Sequence, residues 1–132
     1  TKRFNSNFKP NRTDYDWISD DEDSVDNYIK DDLCGFKVTN GFWLDMIEGI
    51  ESTFKDENYI NINKSLRILL VAGCKDPVGD NGKGVEKLYT FLKRHFKNLS
   101  LFTFGNGRHE IFSDLNKNRR YKLLTDFFDG EI

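Results

Sequence analysis

Leu66-Arg67-Ile68-Leu69-Leu70-Val71-Ala72-Gly73 runs directly into Cys74-Lys75-Asp76-Pro77-Val78-Gly79, and the rest of the chain is organised around this passage. A nearly continuous apolar run of this length, closed by glycine and an Asp-Pro turn, is the pattern of a parallel strand covered on both faces. A helix is expected from about Lys83 to Lys97, where Val85, Leu88, Leu92 and Phe96 share one stripe. Lys93, Arg94 and Lys97 fall near its C-terminal end, where the helix dipole favours cations. Leu99 to Phe104 reads as a second strand and is followed by Gly105-Asn106-Gly107-Arg108-His109-Glu110. A last helix, from about Asn118 to Asp129, is expected to bury Tyr121, Leu124, Phe127 and Phe128. The order β, α, β, α is a right-handed parallel unit, so the fold class is α/β.

Upstream, the first forty residues are polar, with Phe4, Phe8, Tyr15, Trp17, Tyr28 and Phe36 scattered among acids. Such a stretch packs onto something rather than forming a core by itself. Asp20 to Tyr28 suits a short helix, because carboxylates are favoured at a helix N-terminus. Asn40-Gly41 opens a clearer one, in which Trp43, Ile47, Ile50 and Phe54 repeat along one face that must be buried.

At 132 residues the chain is one domain's worth, enough to bury about two thirds of its unfolded surface. Twenty basic against 22 acidic residues leave a net charge of −2, which offers no general attraction to nucleic acid or to an anionic membrane. Two cysteines, Cys34 and Cys74, are too few for a disulfide scaffold. No apolar run approaches the ~20 residues of a membrane span, and the first residues lack a signal-peptide core, so a cytoplasmic location is expected.

In parallel sheets the reactive groups sit on loops at the carboxyl ends of strands, which is where Asp76 and His109 fall. Pro77 biases Asp76 away from helical geometry, and Gly105 and Gly107 let the chain carry His109 back over the sheet edge. A carboxylate bound to the Nδ1 proton fixes the imidazole tautomer and stabilises the imidazolium formed when Nε2 takes a proton from a nucleophile. Asp76 is thus the candidate orienting acid and His109 the candidate general base. No serine or cysteine lies in the G-x-S-x-G elbow that such a pair serves.

These residues resemble the C-terminal part of α/β-hydrolases, specifically the monoacylglycerol lipase-like, lysophospholipase-like and serine aminopeptidase-like serine hydrolases. Gly73 to Gly79 is similar to that family's acid loop, and Gly107-Arg108-His109-Glu110-Ile111 to its histidine loop. Phe8 to Trp17 and Asp32-Leu33-Cys34-Gly35-Phe36 resemble the helical cap over the active site. The family usually has proline where Asp32 stands and arginine where Asp20 or Asp21 stands. The resemblance implies part of the cap in residues 1–40, a connecting helix in 41–64, and a C-terminal β-α-β-α part of the hydrolase core in 65–132. It implies a carboxylic-ester hydrolase in complete form, with catalytic Asp76 and His109 here and the nucleophile and oxyanion hole outside this chain. Phe36, Phe42 and Trp43 would line a cleft for a lipid-like ester. No metal or organic cofactor is implied.

A peptidase or amidase on the same scaffold, or a non-catalytic binding fragment, are the alternatives. Two parallel strands are too few for a stable sheet open at both edges, so a partner is expected. It would be the N-terminal half of the same protein or a second copy. Gly79 to Gly84 is not a phosphate loop, since Gly84 follows Lys83 where Ser or Thr is required. Asp20-Asp21-Glu22-Asp23 lacks the alternation of a calcium loop. The basic clusters Lys93-Arg94-His95 and Lys117 to Lys122 read as solvated surface, with no nucleic-acid role.

Overall fold

The computed structural model describes residues 2–132. Three helices come first: α1 (Lys2–Asn5), α2 (Glu22–Lys30) and α3 (Asn40–Ser52). Then β1 (Arg67–Gly73), α4 (Lys83–Leu92), β2 (Asn98–Phe104) and α5 (Lys117–Asp129) form the α/β part. The strands are parallel, with Arg67 opposite Asn98 and Gly73 opposite Phe104, so both end at the same level and their outgoing loops adjoin. This is a mixed α/β architecture consistent with the C-terminal portion of an α/β-hydrolase.

Local chemistry accounts for the boundaries. Asp21 caps α2 by accepting the Asp23 N–H, and the Thr39 hydroxyl caps α3 by accepting the Phe42 N–H at 3.2 Å. Before α4 the chain passes through Asp80, Asn81 and Gly82 at φ of 51, 54 and 93°, left-handed conformations that Asp, Asn and Gly tolerate best. The helix α4 stops at Leu92, five residues before the expected Lys97, where the chain tightens into a turn in which the Arg94 N–H donates to the Phe91 carbonyl and the His95 N–H to the Leu92 carbonyl. That turn buries Phe96 and delivers Asn98 into register with Arg67.

The best-buried side chains do not lie around the sheet. Trp17, Ile18 and Val25 from the N-terminal segment are buried, together with Ile111, Asp114 and Arg120 from the segment after β2. The two segments are zipped together by polar bonds: Ser19 Oγ donates to the Ser113 carbonyl at 2.9 Å, and the Asp20 N–H donates to Asp114 Oδ1 at 2.9 Å. In return the Leu115 N–H donates to Asp20 Oδ1 at 2.8 Å. The Asp114 and Arg120 side chains, 0% and 2% exposed, form an ion pair at 2.7 Å.

The structure overturns three burial expectations. Trp43, Ile47 and Ile50 on α3 are 48–51% exposed, and Phe54, just beyond the helix, is 45% exposed although its ring meets Phe91 of α4 at 5.2 Å. From Ile68 to Ala72 β1 is only half-buried, because the sheet has two strands and α4 alone lies along both. On α5, Tyr121 and Phe128 are 49% and 76% exposed, while Leu124 and Phe127 are half-buried as expected. The whole exposes 9386 Å², against about 7,200 Å² for a compact monomer of its mass. The periodicities are therefore those of faces made to be covered.

Candidate active site

The acid loop and the histidine loop meet through their backbones. The Cys74 N–H donates to the Phe104 carbonyl and the Lys75 N–H to the Gly107 carbonyl, both at 2.9 Å, extending the parallel ladder beyond the strands. The loops come so close that a Cβ on Gly73 would collide with the carbonyls of Gly107 and Arg108, and one on Gly107 would lie 2.9 Å from the Gly73 Cα. Glycine at both positions is a condition of that approach.

Within the acid loop, Asp76 Oδ1 accepts the Val78 N–H at 2.9 Å and the Asp76 carbonyl accepts the Asn81 N–H at 2.8 Å, which aims the carboxylate out of the turn. His109 comes to meet it: Nδ1 lies 3.0 Å from Asp76 Oδ1, with side-chain exposures of 37% for the histidine and 15% for the aspartate. A carboxylate only accepts, so Nδ1–H is the donor and Nε2 of the neutral ring is left as a base. Burial works to raise the Asp76 carboxyl, but the His109 hydrogen bond, the Val78 and Gly79 amides and the imidazolium charge hold it below its ordinary value. His109 is raised, first by the hydrogen bond to Asp76 and, against its own desolvation, by the charges of Asp76 and Glu110.

The N-terminal segment supplies the other side of the histidine loop. The His109 N–H donates to the Trp17 carbonyl at 3.3 Å, and the Glu110 N–H to the Ile18 carbonyl at 2.8 Å. Arg108 reaches across to the Asp16 and Ser19 carbonyls, the latter at 2.9 Å, with its guanidinium 4.5 Å from the centre of the Phe8 ring. The Trp17 and His109 rings pack at 5.2 Å. The sequence reading missed Arg108, Asp114 and Arg120 as architects of this loop. Arg108 and Asp114 bond to residues 89 to 94 positions away, which leaves no local spacing to detect, while Arg120 is held within its own segment by Asp114 and the Ile111 carbonyl.

Phe36, Phe42 and Trp43 are 64%, 50% and 49% exposed. Phe42 and Trp43 meet edge to face at 5.7 Å on α3, while Phe36 lies in the loop between α2 and α3. A cleft of about 140 Å³ opens between Arg12, Asp16, Val25 and Arg108, with neither Asp76 nor His109 on its wall.

A second imidazole–carboxylate pair occurs at the opposite end of α4, where His95 Nε2 lies 2.9 Å from Asp56 Oδ1. His95 is not the solvated residue expected. Its side chain is 14% exposed and stacks on Tyr59 at 4.7 Å and 18°. Arg94 holds the same Asp56 oxygen at 2.8 Å, so this carboxylate is already neutralised and the cluster fastens the loop before β1 to α4. Cys34 and Cys74 are free. Among the described residues no helix is long and apolar enough to cross a membrane.

A parallel α/β unit with a carboxylate and an imidazole in contact on neighbouring strand-end loops is the arrangement of the α/β-hydrolase class. The family model described as serine aminopeptidase, S33, matches residues 1–116, and the chain belongs to that family. No curated protein and no solved structure gives a match.

Proposed function

We propose that this chain supplies the acid–base half of a serine hydrolase that cleaves carboxylic esters of lipid-like substrates, in the manner of lysophospholipases or monoacylglycerol lipases. The observation that carries the reading is the 3.0 Å contact between His109 Nδ1 and Asp76 Oδ1 at two adjacent strand ends, with Nε2 left to act. His109 Nε2 takes the proton of a serine hydroxyl as its oxygen attacks the ester carbonyl, and Asp76 holds the resulting imidazolium. The same proton passes to the departing alcohol, leaving an acyl-enzyme. Water then repeats the cycle, giving its proton to Nε2 and releasing the carboxylic acid. The serine and the oxyanion-hole amides lie outside these residues, in a cytoplasmic protein, and the chain alone is inactive. Residues 1–40 belong to the cap, 41–64 link it to the core, and 65–132 complete the core, with Phe36, Phe42 and Trp43 facing the acyl chain. The exposed β1 edge and α3 face take the remaining hydrolase strands or a second copy.

Labelling with a fluorophosphonate, which traps activated serines, tests this. The whole protein is expected to label, its Asp76→Asn and His109→Ala forms to lose labelling, and the 132-residue chain to stay dark. Labelling that survives His109→Ala would overturn the assignment. The aminopeptidase description of the family favours one rival, an amidase or peptidase with the same dyad. Relative kcat/KM on monoacylglycerol and aminoacyl-anilide substrates decides between them.

A further inference from the structure

We infer that Trp17 is the positioning residue of His109, fixing the plane of the imidazole whose Nδ1 Asp76 holds. A single hydrogen bond to a carboxylate leaves a ring free to rock about that bond, and His109 is more than a third exposed. What removes the freedom comes from the other end of the chain. The Trp17 ring packs beside the imidazole at 5.2 Å between centroids and 41° between planes. The Trp17 carbonyl takes the His109 N–H at 3.3 Å, so the residue that supplies the wall is in backbone register with the residue it steadies.

Trp17 is itself immobilised. Its N–H donates to Asn5 Oδ1 at 3.0 Å, Phe4 packs on its ring at 5.3 Å, and Arg108 ties down the carbonyls on both sides, those of Asp16 and Ser19. Its indole Nε1 is buried without a partner, in a residue only 8% exposed. A buried unpaired donor is a cost that phenylalanine or leucine would avoid. The large π face beside an imidazole that becomes cationic is a reason to bear it, since indole is the best aromatic partner for a cation. The charges acting on the ring are Asp76 from the acid loop and Glu110 beside it, while Asp16 is occupied by the Arg12 and Thr13 amides.

The inference rests on His109 being the base, yet its test reads the ring itself and needs no turnover. The protein, labelled at histidine with ¹³C and ¹⁵N, is followed by NMR from pH 5 to 9. A Trp17–His109 ring contact and a neutral form with the proton on Nδ1 are expected in the wild type. In Trp17→Leu the apparent pKa of His109 should fall by about half a pH unit and the two tautomers should mix. Trp17→Phe should show a smaller fall. Val25→Ala, which loosens the same core without touching His109, should lower thermal stability and leave the His109 titration in place. Absence of the ring contact in the wild type, or an unchanged titration in a folded Trp17→Leu or Trp17→Phe protein, would overturn the inference. If these NMR results hold while fluorophosphonate labelling fails, the hydrolase reading falls and the positioning contact stands.

Discussion

Arg120→Met should be the most destabilising single change in the segment that carries His109. The wild-type Asp114 carboxylate is fully buried and faces Arg120 Nη1 at 2.7 Å, with the Asp20 and Arg108 N–H groups at 2.9 and 3.2 Å as its other donors. Methionine fills most of the arginine's volume and its contact with Phe104, so the losses are the counter-charge and the donor to the Ile111 carbonyl. An uncompensated buried charge costs about 3–5 kcal/mol. A cooperative unit of 132 residues has an unfolding entropy of about 280 cal/mol/K, so the midpoint should drop by about 11–18 °C. Calorimetry or far-UV circular dichroism reads this directly. The double variant Asp114→Leu with Arg120→Met removes both charges but leaves the Asp20 and Arg108 amides without their acceptor, each at about 1–3 kcal/mol. It should therefore regain only part of the loss. A single-variant shift under about 3 °C would refute the reasoning, and full recovery in the double variant would show that the two amide bonds carry nothing.

The dyad makes stability depend on pH in two windows. His109, raised by Asp76, contributes stability that is complete below its ordinary 6.5 and lost as pH climbs through the folded value. Asp76, lowered, contributes stability that is present above 3.8 and lost as pH falls through its folded value. Urea midpoints of wild type and Asp76→Asn should therefore differ most between 3.8 and 6.5, narrow to the Asp76 contribution alone as pH climbs through the raised His109 value, and converge as pH falls through the folded value of Asp76. The uncovered apolar faces should make the 132-residue chain associate at micromolar concentration in sedimentation velocity, and Ile47→Glu with Ile50→Lys should reduce it. A monodisperse wild-type monomer at that concentration would contradict this.

The α/β unit was legible because its signals are local. The apolar run of β1, the stripe of Val85, Leu88 and Leu92, and the glycine-rich exits each declare themselves within a dozen residues, and strand-end logic then placed Asp76 beside His109. Burial was not legible for α3 and parts of α5, because periodicity reports which face is made to be covered and not whether a cover is present. The ring of Arg108, Asp114 and Arg120 was hidden for another reason. Arginine and aspartate among polar neighbours look solvated, yet Arg108 is engaged by the Asp16 and Ser19 carbonyls, Asp114 by the Asp20 N–H, and Arg120 is buried against Asp114. His95 was misjudged in the same way, since its neighbours in sequence are basic while its neighbours in space are Tyr59, Phe91 and Phe96.

The bonds between residues 16–20 and 108–115 span 89 to 95 positions, which places the histidine loop among the slowest parts of the chain to assemble. The closure entropy of so long a loop is spent before Arg108 or Asp114 gains a partner, and contacts of this separation slow folding. During synthesis the segment around Trp17 leaves the ribosome before the residues after β2 and has no access to those partners until they emerge. The surroundings of the imidazole beside Asp76 are thus completed only when residues 16–20 and 108–115 have met.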